Sequence, residues 1–169
     1  MTGEIIYPPT YKFVSGPLIF LAGPIQGAPD WQKEAVRFIW DMSPKVHIAS
    51  PRREYLDGEF MYEAQVDWET SYLRRAAQNG VILFWLAKEV EHNCERAYAQ
   101  TTRFELAEWK VRHERDGVKM VVGIEDGFTN ARYIRRRLSQ DCPRVPIYNS
   151  LEFACGSAVR MTKSKNSAR

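Results

Sequence analysis

Five short apolar runs punctuate the chain: "LIFLA" at 18–22, "VHIAS" at 46–50, "GVILFWL" at 80–86, "KMVVGI" at 119–124 and "VPIYN" at 145–149. Each is short, rich in branched and aromatic residues, and bounded by Gly, Pro or Asp, the pattern of a strand buried on both faces. The stretches between them carry helical periodicity. "DWQKEAVRFIWDM" sets Trp31, Ala35, Phe38 and Met42 on one stripe, and "EAQVDWETSYLRRAAQ" does the same with Val66, Leu73 and Ala77. "TTRFELAEWKVRHERDG" aligns Phe104, Ala107 and Val111 before a closing Gly117. Strands alternating with helices pair in parallel through right-handed crossovers. The pattern therefore predicts a three-layer α/β fold, a five-stranded parallel sheet with helices on both faces. Ligands of such sheets bind beyond the carboxyl ends of the strands, where the strand order reverses.

A chain of 169 residues fits one domain. We expect it over residues 17–158, preceded at 1–16 by an extended arm with paired prolines and followed at 159–169 by a polar, disordered tail. The net charge of +3, from 24 basic and 21 acidic residues, is too small to indicate a nucleic acid polymer as partner. Cys94, Cys142 and Cys155 are odd in number and far apart, which offers neither a disulfide framework nor a zinc spacing. With no apolar stretch long enough to span a membrane and no signal-like start, the expectation is a soluble cytoplasmic protein without a membrane partner.

The architecture brings four loops to one rim: "GPIQGAPDW", "PRREYLDGEF", "AKEVEHNCERAYAQTTRFE" and "EDGFTNARY". The first lacks both the three spaced glycines of a dinucleotide fingerprint and the lysine of a P-loop. It reads as a strand-to-helix turn, with Gly23 and Gly27 supplying unusual backbone angles, Pro29 opening the helix and Asp30 available as its N-cap. Glu63, Asp67 and Glu69 cluster at an expected helix start, where acids complement the helix dipole, and Trp68 beside them can stack a ring-shaped ligand. Thr102 and Glu105 have the spacing of a capping box, a structural role in itself. A carboxylate at a helix head also stays ionised at neutral pH, as a nucleophile requires. Chemistry at an anomeric carbon commonly employs two carboxylates, and Glu105 and Glu69 are two candidates on adjacent rim loops.

Taken in order, "IFLAGPIQGAPDWQKEA", "SPRRE", "QVDWETSYLRRAAQNGVILFWL" and "RFELAEW" resemble the nucleoside 2-deoxyribosyltransferases, over roughly residues 17–135. The resemblance implies a flavodoxin-like domain that moves a 2-deoxyribosyl group between nucleobases, a retaining N-glycosyl transfer of nucleoside salvage. It makes Glu105 the nucleophile and Glu69 the second acid, which holds the deoxyribose or serves proton transfer, ahead of Asp67. Ala22, Gly23, Pro24 and Ile25 would wall the base pocket, with Phe20 or Trp31 contributing a ring face. Arg52 would hold Glu69 or a sugar hydroxyl, although an arginine at a strand end also suits a surface salt bridge. Asn130, on the fourth loop, is a further candidate for substrate binding. The sequence departs from the family pattern at Ala107, where glycine is usual.

The resemblance implies a deoxynucleoside and a free nucleobase as partners. No metal or cofactor is called for, because the departing base accepts a proton on nitrogen. It also implies a homo-oligomer, a dimer or a multiple of it, assembled through the aromatic arm or the segment "IYNSLEFACG". Two other readings stay open: a hydrolase of 2'-deoxynucleoside 5'-monophosphates, and a non-catalytic nucleotide sensor in which Glu105 only caps a helix. The absence of Ser and Thr from "GPIQGAPDW" favours a nucleoside over a phosphorylated substrate.

Overall fold

The computed structural model describes residues 2–53 and 61–164. Its elements in chain order are β1 (Ile5–Ile6), β2 (Leu18–Ala22), α1 (Trp31–Met42), β3 (His47–Ala49), α2 (Tyr62–Asn79) and β4 (Gly80–Leu86). They continue with α3 (Gln100–Asp116), β5 (Met120–Ile124), α4 (Ala131–Asp141), β6 (Ile147–Tyr148) and α5 (Leu151–Lys163). The strands form one sheet in the order β1-β3-β2-β4-β5-β6, and every pairing is parallel. The five expected strands are present in flavodoxin-like order. The sixth comes from the expected arm, where Ile5 and Ile6 pair with Ile48 and Ala49 at the sheet edge. Two residues are too few to register as a strand in sequence, and their extension here depends on a neighbouring strand.

Side-chain alternation along the strands feeds two cores. Phe20, Ala22, Ile82, Phe84, Leu86, Val122 and Ile124 face α2, α3 and α4, meeting Trp68, Tyr72, Leu106, Trp109 and Leu138. Ile19, Leu21, Val81, Leu83, Trp85 and Val121 face α1 and α5, meeting Trp31, Ala35, Ile39, Ala154, Cys155 and Ala158. A strand covered on both sides must be apolar at consecutive positions, which is why β4 reads as an unbroken run.

One boundary differs from expectation. Helix α5 runs to Lys163, so the domain edge expected at 158 falls inside it, and residues 165–169 of the expected tail lie outside the described residues. The segment "IYNSLEFACG" forms β6 and the start of α5, and most of its α5 part is buried against the sheet. Among the described residues, no helix is long and apolar enough to cross a membrane.

The stripe expected to bury α3 points the other way. Phe104 is 76% exposed, Val111 45%, and Ala107 is also exposed, while Thr102, Leu106 and Trp109 turn inward. Thr102, Leu106 and Trp109 stand at i, i+4 and i+7, a stripe as regular as the expected one, so periodicity alone does not choose between the two faces. On α2, likewise, Trp68, Tyr72, Leu73 and Ala76 form the buried face and Val66 lies outside it.

Candidate active site

The opening loop leaves β2 at the carboxyl rim. A Cβ on Gly23 would stand 2.3 Å from the Trp85 carbonyl oxygen and 2.6 Å from the Trp31 ring, so this close approach requires glycine. Gly27 has φ +78°, and a Cβ there would meet the Glu91 carbonyl oxygen at 2.8 Å. Gly27 also anchors the third loop, because its carbonyl accepts from the amides of Val90 at 2.8 Å and Glu91 at 3.2 Å. The first helix starts at Trp31 rather than Pro29, and Asp30 is its N-cap, accepting from the Lys33 amide at 3.2 Å.

Glu69 and Glu105 face each other's charge across the rim from α2 and α3. Neither stands at a helix head. Glu69 is the eighth residue of α2 and Glu105 the sixth of α3. The expected capping box is absent: Ala99, in the left-handed region at φ 56°, is the N-cap of α3, without a side-chain cap, and Thr102 is a buried helical residue. The expected dipole-held carboxylate is accordingly overturned. Burial, followed by the charges of Glu69 and Glu108, pushes the Glu105 carboxyl up to about 8. Burial also raises Glu69, against a hydrogen bond from Gln65 that favours its ionised form. That bond, from Gln65 Nε2 to Glu69 Oε1, is 2.6 Å long.

The remaining sequence candidates separate. Ala22 and Pro24 are buried, and Gly23 and Ile25 are partly exposed on the opening loop. Phe20 and Trp31 belong to opposite cores, and Trp31 donates its indole N–H to the Pro24 carbonyl at 2.9 Å, bracing the loop from beneath. Trp68 does not present a ring to a ligand: it is fully buried, 4.5 Å from the Tyr72 ring centroid, and its Nε1 donates to the Thr10 carbonyl at 2.7 Å. Asp67 is exposed on α2. Arg52 makes the salt bridge open to it in the sequence, its Nε 3.6 Å from Asp30 Oδ1, and also binds the backbone of the opening loop. Its Nη2 donates to the carbonyls of Ile25 at 2.9 Å, Ala28 at 3.2 Å and Pro29 at 3.0 Å, and its Nε to Gln32 Oε1 at 2.9 Å. Asn130, in the left-handed region, caps α4 and lines a groove of about 450 Å³ between α3 and α4, together with Arg103 and Tyr133. Glu105 does not line that groove. Of the second rim loop, residues 54–60 lie outside the described residues.

Sequence reasoning missed three residues. Gln65 precedes Glu69 by one helical turn, an i, i+4 relation that would have paired them. Tyr98 ties the rim together, donating to the Ala87 carbonyl at 2.7 Å and packing its ring against Phe128 at 6.1 Å. Burial and the charges of Glu89 and Glu125 raise its phenol well above the usual range. Tyr7 follows β1 to the rim, where burial and the charge of Asp30 raise its phenol. A cavity of about 1360 Å³ opens at the amino ends of β2 and β4, lined by Pro17, Gly80, Gly117 and Lys119. The acidic pair lies at the other end of the sheet.

Residues 16–128 match the family described as nucleoside 2-deoxyribosyltransferase like. The matched segment carries both carboxylates and the first three rim loops. No curated protein matches the chain.

Proposed function

The chain belongs to the nucleoside 2-deoxyribosyltransferase-like family, and from that premise we propose that it transfers a 2-deoxyribosyl group between nucleobases through an ester on Glu105. The observation that carries this reading is the convergence of two electrostatically coupled glutamates, from adjacent helices, at the carboxyl rim. A raised carboxyl beside a second carboxylate means that near neutrality the pair holds one proton between them. Such a pair supplies what the reaction needs, one ionised nucleophile and one acid.

In the free protein that proton rests on Glu105; once it has passed to Glu69, a Glu105 oxygen bonds to the anomeric carbon of a deoxynucleoside as the bond to the base breaks. The bonding pair leaves with the base nitrogen, which takes the proton from Glu69. An incoming base then attacks the anomeric carbon, the ester opens to regenerate the Glu105 carboxylate, and the proton lost from the attacking nitrogen returns to Glu69. Two inversions give net retention. Ala22, Gly23, Pro24 and Ile25 form the wall for the flat base, with Phe20 and Trp31 supporting it from the two cores. Asp67, Arg52 and Asn130 are the further binding candidates. Free Cys94, Cys142 and Cys155 accord with a reducing, cytoplasmic setting. The outward stripe of Phe104, Ala107 and Val111 supports a homo-oligomer.

Incubation with a deoxynucleoside and a different free base tests the reading. A swapped nucleoside, with a deoxyribosyl adduct on Glu105 by mass spectrometry, is the expected result. Free base without exchange would replace transfer by hydrolysis, and neither product would sink the enzymatic reading.

A further inference from the structure

The end of β3 serves two parts of the rim at once. On one side, Arg52 gathers the opening loop, donating to the carbonyls of Ile25, Ala28 and Pro29 and to Gln32, with its Nε 3.6 Å from Asp30 Oδ1. On the other side, the carbonyl of Pro51 accepts from Gln65 Nε2 at 3.2 Å. The same amide nitrogen donates to Glu69 Oε1 at 2.6 Å. One unbroken chain of direct hydrogen bonds and one peptide link thus joins the loop at 25–29 to a carboxylate of the acidic pair.

The chemistry of each link suits rigid transmission. A guanidinium keeps its charge and presents donors in a fixed plane, so it can hold several backbone carbonyls in one arrangement, which a flexible ammonium cannot. Gln32 is 2% exposed and Gln65 8%, so water does not compete for these bonds. Both hydrogens of the Gln65 amide are committed, one to the backbone and one to Glu69, which fixes the side chain and with it the carboxylate.

We propose that Arg52 and Gln65 are positioning residues that tie the wall of the opening loop and the carboxylate of Glu69 to one strand end, so that a base on the wall and the acidic pair keep a fixed relation. Arg52 then acts at a distance on Glu69, through Pro51 and Gln65. The catalytic consequence rests on the transferase reading, whereas the mechanical coupling is a property of the folded chain and is tested separately.

The first measurement needs no substrate. Side-chain ¹³C titration of Glu69 and Glu105 is followed in the full chain and in Gln65→Leu and Arg52→Lys, each shown to melt cooperatively, with Gln65→Met and Arg52→Gln in reserve should either fail to fold. Gln65→Leu removes the donor that favours ionised Glu69, and its midpoint should rise by about one pH unit. Arg52→Lys, which touches neither glutamate, should move it in the same direction by a smaller amount. A Glu69 midpoint that ignores Arg52→Lys overturns the coupling, and one that ignores Gln65→Leu overturns the role of Gln65. The second measurement is a double-mutant cycle on kcat/KM for transfer. Both substitutions break the same chain, so singles that each lose about tenfold should combine to well under a hundredfold. Losses that multiply would refute a shared path. If the wild-type protein transfers no deoxyribosyl group, the functional reading fails, and the titration still decides the coupling.

Discussion

The charge of Glu69, on α2, helps to hold Glu105, on α3, in its neutral form, adding to the effect of burial. Removing the like charge without changing shape should therefore release the proton. In Glu69→Gln the Glu105 midpoint is expected to fall from about 8 toward the ordinary glutamate range, stopping short because burial remains the larger cause. Carbonyl infrared difference spectra or ¹³C titration read this directly. An unmoved midpoint would mean that the two carboxylates do not sense each other.

The same pair sets the pH dependence of the reaction. If the one-proton form is active, kcat/KM for a deoxynucleoside should fall as pH rises through about 8, the value to which Glu105 is raised, because the acid for the departing base is then lost. A nucleoside whose base leaves without protonation should show a flatter alkaline limb. A rate that instead climbs through pH 8 would assign the proton only an inhibitory part.

Stability should respond in the opposite sense to that of most carboxylates. The folded value of Glu105 lies above its unfolded value, so the folded state binds the extra proton. Its contribution is fully present below the unfolded value near 4.5 and is lost as pH rises toward about 8. Glu105→Gln, which is neutral at every pH, should thus stabilise the protein by about 1–3 kcal/mol at pH 9 and change little at pH 4. Denaturant titrations at the two pH values check this, and equal effects at both would remove the buried charge as their cause.

Gly27 joins the first and third rim loops under a backbone angle that side chains resist. Gly27→Ala combines φ +78° with a contact of 2.8 Å to the Glu91 carbonyl oxygen, so it should cost about 1–3 kcal/mol. Amide exchange at Val90 and Glu91, whose N–H groups donate to Gly27, should quicken more than exchange in β4. Uniform acceleration across the sheet would point to global destabilisation alone.

The parallel, doubly covered sheet was legible because strands covered on both faces must be apolar throughout, as "GVILFWL" is. Helix faces were less so. The spacing of Phe104, Ala107 and Val111 is a valid helical stripe, yet Thr102, Leu106 and Trp109 form another just as regular, and α3 buries that one. Glu69 and Glu105 could be singled out as candidates, whereas the ionisation of Glu105 was misjudged. A capping box was inferred from Thr102 and Glu105, but the helix begins two residues before Thr102, and burial then governs the carboxyl. Arg52 was visible as a cation at a strand end. Three of its partners are backbone carbonyls of another loop, which no side-chain pattern encodes.

The N-terminal arm is latched beside the acidic pair, and that latch can be opened selectively. Trp68, immediately before Glu69, donates to the Thr10 carbonyl, and the Tyr72 hydroxyl both accepts from the Lys12 amide at 2.7 Å and donates to the Lys12 carbonyl at 3.2 Å. Tyr72→Phe removes a reciprocal pair of bonds while keeping the ring that stacks on Tyr11, so the loss falls on the latch rather than on the core. We expect a cost of about 1–2 kcal/mol and rapid exchange of the Lys12 amide, with β2 and β4 still protected. Trp68→Phe should cost more, because it also leaves space in a fully buried site between Phe20 and Tyr72. Hydrogen exchange resolved by residue separates the two effects. If the Lys12 amide stays protected in Tyr72→Phe, the arm is held by β1 and by Arg75, which also donates to the Lys12 carbonyl, and the tyrosine latch is dispensable.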